Sequence, residues 1–565
     1  MYEGDPQQFW QINRRNVVAQ FNPRRTAGSS TTPMQKPEDC RRVDLWTHGR
    51  LFNYNQPTPW QDDISQWLIR NPHGINLGRI GILFYGKNEL YLYSGRLTPK
   101  FSLGEARVVV QTCVDPTDDT IAVEVGSKLV TKGLLLVFFG FPYAIGKNKS
   151  DAPFAGVWDA VGNHTTEPTS ANDWAQIKHT LDDTTYFVTA QWDKDCIFTF
   201  STTFTSTSPR HRAASVSWIQ KSSSTPTDTR AREIRGRIIL SQHLLAVNYV
   251  GKEPPQESGL VNSGWYGKFH LEIYLWHSAH WGCWDKWDLL DWSTDVYSRF
   301  LGDQGYSGAR WGKMSDPSGG SAPGLINSLL IWQQPHPLYF AGMEYRAKPT
   351  LKTLRKWREV VFQTAEFMSS YTFWNESTGV YGLGPPFYPV SENTKPNVTI
   401  NPTFEQVYWR FGLEVARSWQ ERQDLAIAIN TPEFKRWITF GFLSNLAWSW
   451  CVVTRYDGRP TMNYTLPLNL TIMKNTAERV WSSWNFTDCW GWGFPTLAMN
   501  TARPGDGEKA VEFLMHENFV FDVGMPASGA LLAVGMIAAG WGGGGKGGGF
   551  PEGWMVRSEG FEAFM

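Results

Sequence analysis

The side chains that could do chemistry gather in few places along the 565 residues. One stretch carries His270, Glu272, His277 and His280, all ligand types for a metal ion, but the HxxxH or HExxH order that sets two imidazoles on one helical face is missing. His277 and His280, three apart among aromatic residues, read instead as hydrogen-bonded interior side chains, and no metal is expected. No GxSxG turn presents a serine nucleophile, and no Ser, His and Asp set stands out. The tract WGGGGKGGG, Trp541 to Gly549, has neither a preceding strand nor a GKS or GKT ending, so it reads as a loop and not as a phosphate cradle. The six cysteines lie far apart without CxxC spacing and indicate neither a zinc knuckle nor a disulfide framework. The stretch YGLGPPFYPVSENTKPNVTINPTFEQVYWRFGLEVA, Tyr381 to Ala416, sets Glu392 in a Pro- and Asn-rich loop that leads into a helix carrying Glu405, while Glu552 and Glu559 stand further along.

Composition narrows the partners. Lys plus Arg and Asp plus Glu number 53 each, so the formal charge is zero and a polyanion finds no electrostatic footprint; neither nucleic acid nor membrane is expected as a partner. The longest apolar stretch, about Ala527 to Trp541, is shorter than the ~18 residues of a membrane span. Aromatic residues make up 15% of the chain, 29 of them Trp, which points to sugar-stacking surfaces or to a very large aromatic core. Seven N-x-S/T sequons, at Asn148, Asn163, Asn375, Asn397, Asn463, Asn469 and Asn485, suit a secreted, glycosylated protein, although MYEGDPQQFW has neither the basic start nor the apolar core of a signal peptide. An extracellular location is expected on that balance.

The elements that must position these groups change character along the chain. From about Leu77 to Tyr249 apolar residues alternate or cluster in short runs, among them ARVVVQTCV, TIAVEV, LLLVFFGF, TYFVTAQW and RIILSQHLLAVNY, with turn residues between, so an antiparallel β region is expected. The polar stretch Thr205 to Arg235 reads as a long surface loop. Beyond Gly259 the period becomes helical, in HLEIYLWHSAHWGCWDKWDLLDW, GLINSLLIWQQPHPLYFAGMEYRA, LKTLRKWREVVFQTAEFMSSY, FEQVYWRFGLEVARSWQERQDLAIAI, FKRWITFGFLSNLAWSWCVV, GEKAVEFLMHENF and SGALLAVGMIAAGW. So many helices joined by loops suggest a toroid of helical hairpins.

Several of these stretches carry a resemblance. The Tyr381 to Ala416 loop is similar to the acid-bearing loop of family 65 glycoside hydrolases and phosphorylases; GYSGARWGKM, WQQPHPLYFAGMEY and FHLEIYLWH resemble three further elements of that family. The match extends to a group of fungal and bacterial six-hairpin glycosidase-like proteins, whose patterns stand here as NPRRT, LWTHGRL, NLGRIG, WQQPHP and NPTFEQVYWR over nearly the whole chain. The group usually has Asp where this chain has Gly493. The resemblance implies an N-terminal antiparallel β-sandwich over 1–255, with a piece missing near 33–45, followed by an (α/α)6 barrel over 256–565.

It also implies a chemistry. Glycosidic cleavage takes a carboxylic acid to protonate the leaving oxygen and, for inversion, a carboxylate to activate water on the other face. Glu392 takes the place of the family's acid, and its neighbours Phe387, Tyr388, Pro389 and Val390 are expected to raise its pKa by desolvation. Glu559 in GWMVRSEGF is expected as the base, kept ionised by Arg557, with Glu552 and Glu405 in reserve. Glu272, Arg310, Trp311, Gln333, Gln334 and His336 are expected to bind the carbohydrate substrate. No cofactor is expected. ASGALLAVG, Ala527 to Gly535, resembles the place where the phosphorylases hold phosphate but lacks the adjacent His and a basic partner, so hydrolysis is expected over phosphorolysis; a non-catalytic carbohydrate-binding protein is the alternative of another class.

Overall fold

The computed structural model describes residues 215–220, 228–423, 470–540 and 549–561, apart from short gaps, and discontinuous segments between 9 and 199. The helix expected over Phe434 to Val453 and the Gly-rich tract 541–548 lie outside the described residues. The chain forms two compact units, one of 1–36, 70–211 and 260–268, the other of 37–69, 212–259 and 269–565.

The first unit holds three antiparallel sheets among its described residues. Strand β1 (Ala106–Val114) pairs along its length with β2 (Ile121–Ser127), and its period of two shows in Val108 and Val110, fully buried, beside the exposed Arg107. A meander of β3 (His164–Ser170), β4 (Trp174–Leu181) and β5 (Thr184–Trp192) buries Ile177, His179 and Leu181 from alternate positions of β4. β3, with the sequence HTTEPTS, carries no apolar signal and is almost wholly exposed; its pairing with β4, not burial, makes it a strand.

The second unit is mainly helical. RIILSQHLLAVNY, expected as a strand, lies within helix α1 (Thr229–Tyr249). Asp228 caps this helix by accepting the N–H of Arg230 at 3.0 Å, and Ile234, Ile238, Ser241, Leu245 and Tyr249 are buried at spacings of three and four, the helical period. The expected surface loop at Thr205 to Arg235 likewise contains the first turns of α1 and strand β6 (Ser215–Gln220). What supplied β6 with a partner was a distant segment, β11 (Trp554–Glu559), which pairs with it antiparallel.

The stretch expected as one helix from His270 breaks into three pieces. β7 (Phe269–His270) pairs with β8 (Met314–Ser315); α2 (Tyr274–Cys283) follows, buried at every position; and after Asp285, in left-handed backbone with φ 52°, α3 (Trp287–Thr294) begins. A second expected helix also breaks: between Leu325–Leu329 and α4 (His336–Ala347), Leu330 forms a parallel bridge to Tyr388, and Pro335 withholds a backbone donor. α5 (Leu351–Tyr371) and α6 (Thr403–Arg422) pack on α4 and on each other. Hairpin β9 (Phe373–Asn375) and β10 (Val380–Gly382) follows α5. α7 (Gly493–Ala502) was not among the expected helices; its Pro495 lies in the first turn, where proline has no intrahelical donor to lose, and the helix is buried from Phe494 onward. It packs on α8 (Gly507–Leu514). α9 (Met525–Ala539) then lies against α7, α2 and α1, bringing the last helix back to the first. Helices α2, α7 and α9 are buried on nearly all sides, while α5 buries one stripe and wets the other, so the unit has an inner and an outer layer of helices.

Candidate active site

Pairing of β7 with β8 carries Glu272, two residues beyond His270, and Lys313, one residue before Met314, to the same place, where the Glu272 N–H faces the Lys313 carbonyl at 3.4 Å. The Lys313 ammonium donates to Glu272 Oε2 at 3.0 Å and to Glu392 Oε1, so one cation joins two carboxylates. Side-chain exposure is 8% for both Glu272 and Lys313 and 29% for Glu392, which makes Glu392 the end of the cluster that meets water. Burial pushes the Glu272 carboxyl above its ordinary range, Lys313 opposing this and Glu392 adding to it. Burial works against the Lys313 charge as well, yet the two carboxylates hold its pKa above the ordinary value. Trp332 Nε1 donates to Glu272 Oε1 at 2.9 Å, and His270 Nε2 stands 3.5 Å from Oε2.

Glu392 has φ 56°, a left-handed conformation unusual for a residue with a side chain, and its N–H closes a turn on the Pro389 carbonyl at 2.8 Å. Its loop is pinned at several points. Tyr388 N–H donates to the Leu329 carbonyl at 3.1 Å, and Asn401, itself at φ 50°, accepts the Leu383 N–H on its side chain at 2.7 Å. Val390 N–H donates to Glu405 Oε1 at 2.6 Å. Glu405 is fully buried, burial pushes its carboxyl up to about 7 against the Val390 N–H, and its Oε2 has no hydrogen-bond partner among the described residues. The apolar surroundings expected for Glu392 hold for the neighbouring Phe387, which is buried, but the carboxyl itself meets an ammonium.

The expected substrate-binding residues fall into two groups. Glu272 lies in the cluster. His336 lies behind it: burial lowers its pKa to about 3, so the ring is neutral, Nε2–H donates to the Glu272 carbonyl at 2.6 Å and Nδ1 accepts from the Tyr408 hydroxyl at 2.8 Å. Trp311, Gln333 and Gln334 form a buried knot, in which both glutamine amides donate to the Trp311 carbonyl, Gln334 Oε1 accepts the Trp311 N–H at 2.9 Å, and the indole N–H goes to Thr364 at 3.0 Å. Gln333 Oε1 has no partner among the described residues. The Arg310 guanidinium donates to the Ser328 carbonyl and lies 6.0 Å over the Phe367 ring. Glu559 ends β11 opposite Ser215; its side chain and that of Arg557 are outside the described residues, and Glu552 is exposed. His277 and His280 are both buried and both depressed by burial, His277 to about 3, and His280 Nδ1 bonds Ser528 Oγ at 3.1 Å. Sequence reasoning missed Lys313, Trp332 and Tyr408. Lys313 stood in the GARWGKM stretch, but 79 positions separate it from Glu392 and no local pattern joins them.

No protein-family model matches this sequence, and no curated protein matches it. A solved structure described as "Putative kojibiose phosphorylase from human microbiome" is similar over 83% of this chain and 79% of that one, at 12% identity and a TM-score of 0.48. The reading of the site therefore rests on its own residues.

Proposed function

We propose that this chain is an enzyme that cleaves a glycosidic bond with carboxylates, built as an N-terminal β-sandwich and an (α/α)6 barrel, with Glu392 as acid and Glu559 as base on an inverting route. The observation that carries the reading is the placement of Glu392: a stapled loop holds it in a left-handed conformation at the water-facing end of a carboxylate–ammonium–carboxylate cluster backed by Trp332 and His336. An acid at the tip of a rigid loop can reach a leaving oxygen, and Lys313 with Glu272 offers hydrogen bonds to sugar hydroxyls. A second reading has its own support. The Lys313 ammonium in contact with Glu392 occupies one oxygen of the carboxyl expected as the acid, an arrangement that suits a carbohydrate-binding site with no acid at all.

A panel of natural and activated aryl glycosides, assayed with and without phosphate, separates the readings. Hydrolysis predicts sugar release that phosphate leaves unchanged; phosphorolysis predicts a glycosyl phosphate; binding alone predicts heat of binding without turnover. In the enzyme, Glu392→Gln is expected to lower cleavage of a natural glycoside by ~10²–10⁴-fold and that of an activated aryl glycoside much less. Equal loss on both substrates would remove Glu392 as the acid.

A further inference from the structure

Glu405 does not stand where a base must. It lies in the first turn of α6 with its side chain fully buried, away from the water that a base would activate. It does touch the turn that carries Glu392. The Glu392 N–H closes that turn on the Pro389 carbonyl, so Val390 and Ser391 are its two central residues, and the Val390 N–H donates out of the turn to Glu405 Oε1 at 2.6 Å across 15 positions. Two residues after Val390 the backbone takes its left-handed conformation, φ 56°, and the Glu392 carboxyl meets Lys313. One buried carboxyl on a helix thus holds the peptide from which Glu392 is aimed.

The enclosure suits a neutral carboxyl. Oε1 receives the Val390 N–H and the carboxyl also meets its own backbone N–H, but Oε2 has no hydrogen-bond partner among the described residues. An ionised carboxylate offers about four acceptor sites and is costly to bury with so few donors. The titratable groups around it are His336 of α4, neutral and bonded to Tyr408, and the Glu272, Lys313 and Glu392 cluster, whose charges meet one another. Neither these nor a charged group of α5 acts on the Glu405 carboxyl, and burial alone raises it, to about 7. Val390 is half-buried and Ser391 beyond it exposed, so lifting the turn is the short way for water to reach this side chain.

We propose that Glu405 is a positioning residue for Glu392 that works as a proton-controlled catch: neutral, it stays buried and holds the turn by the Val390 N–H; ionised, it draws in water and lets the turn lift. The proposal builds on the reading of Glu392 as the working end of the site. Its sign follows from burial. The proton is bound more tightly with the turn closed than with the turn lifted and Glu405 wet, so closure is favoured at low pH and the advantage is lost as pH rises through about 7.

Amide hydrogen exchange of the full chain, resolved to single residues by fragmentation of the peptide over 387–392 and corrected for the intrinsic pH dependence of exchange, tests it without substrate. Protection of the Val390 N–H is expected to fall by ~10-fold or more between pH 5 and pH 7.5. In Glu405→Gln, whose amide copies the neutral acid and keeps an acceptor for Val390, it should not change with pH. Protection that is level or rises with pH in the native protein, or a fall that persists in Glu405→Gln, would overturn the proposal. Turnover of a natural glycoside gives the second readout: its alkaline limb near pH 7 should vanish in Glu405→Gln, and a limb that stays would assign it to another group and overturn the coupling to Glu392. If no glycoside is turned over, the reading of Glu392 as acid fails, while exchange at Val390 still decides whether Glu405 is the catch.

Discussion

Lys313 is the residue on which the cluster turns. With 8% of its side chain exposed it balances two carboxylates that would otherwise repel each other at close range. Lys313→Met leaves that repulsion in a desolvated place, and a loss of about 3 kcal/mol is expected from the usual cost of breaking a buried pair. Chemical denaturation at pH 7 measures it, and Lys313→Met with Glu272→Gln should recover part of the loss by removing one of the stranded charges. Glu405 carries a second expectation, in pH. Its folded pKa, about 7, lies above the ordinary 4.5, so the folded state binds the proton more tightly than the unfolded state does. The stability this contributes is full below about pH 4.5 and is lost as pH rises toward 7. Glu405→Gln should flatten that slope in the denaturation midpoint between pH 5 and pH 8. An unchanged slope would mean that Glu405 is ionised in the folded protein.

Loops and helix ends, more than helix interiors, decide how this site is presented. The Glu392 loop is held by the Leu330–Tyr388 bridge, which exists because a predicted continuous helix breaks before Pro335. The same break turns Gln333 and Gln334 back onto the Trp311 backbone. Gly493 belongs to this scale too, as the first residue of α7, where a Cβ would meet nothing within 4 Å. Gly493→Asp has room, and a carboxylate in the first turn complements the helix dipole by about 0.3–1 kcal/mol. We expect the melting temperature to hold or rise. A variant that melts lower would contradict the open space described.

Closure of the helical unit depends on α9 fitting against α7, α2 and α1. Its mean composition is small and apolar, MPASGALLAVGMIAA, and Gly529 marks the tightest approach: a Cβ there would lie 2.8 Å from Pro495 Cγ on α7. Gly529→Val must push the two helices apart, with an expected cost of about 1–3 kcal/mol for overpacking. A lower thermal midpoint for the helical unit checks it; an unchanged midpoint would mean that the contact between α7 and α9 gives way freely.

Alternation in ARVVVQTCV and the 3.6-residue stripe of LKTLRKWREVVFQTAEFMSSY were legible in the residues because each pattern reports burial of one face, and that period is local. So was the Glu392 loop, whose Pro and Asn residues mark a break before a helix. β3 was not legible, since a polar strand is made by its partner, nor was α1, whose apolar run suits either period until Asp228 caps it. The site divides along the same line. Glu272, Glu392 and His336 were singled out by the resemblance of their stretches, but the meeting of Glu272 with Lys313 follows from the β7–β8 pairing, and that of Lys313 with Glu392 crosses 79 positions. Folding likewise joins Trp311 and the two glutamines, expected as sugar contacts, in a buried hydrogen-bonded knot that their spacing does not show. Hydrogen bonds and ion pairs depend on distance in space, and sequence patterns carry that distance only for residues a turn or a strand apart.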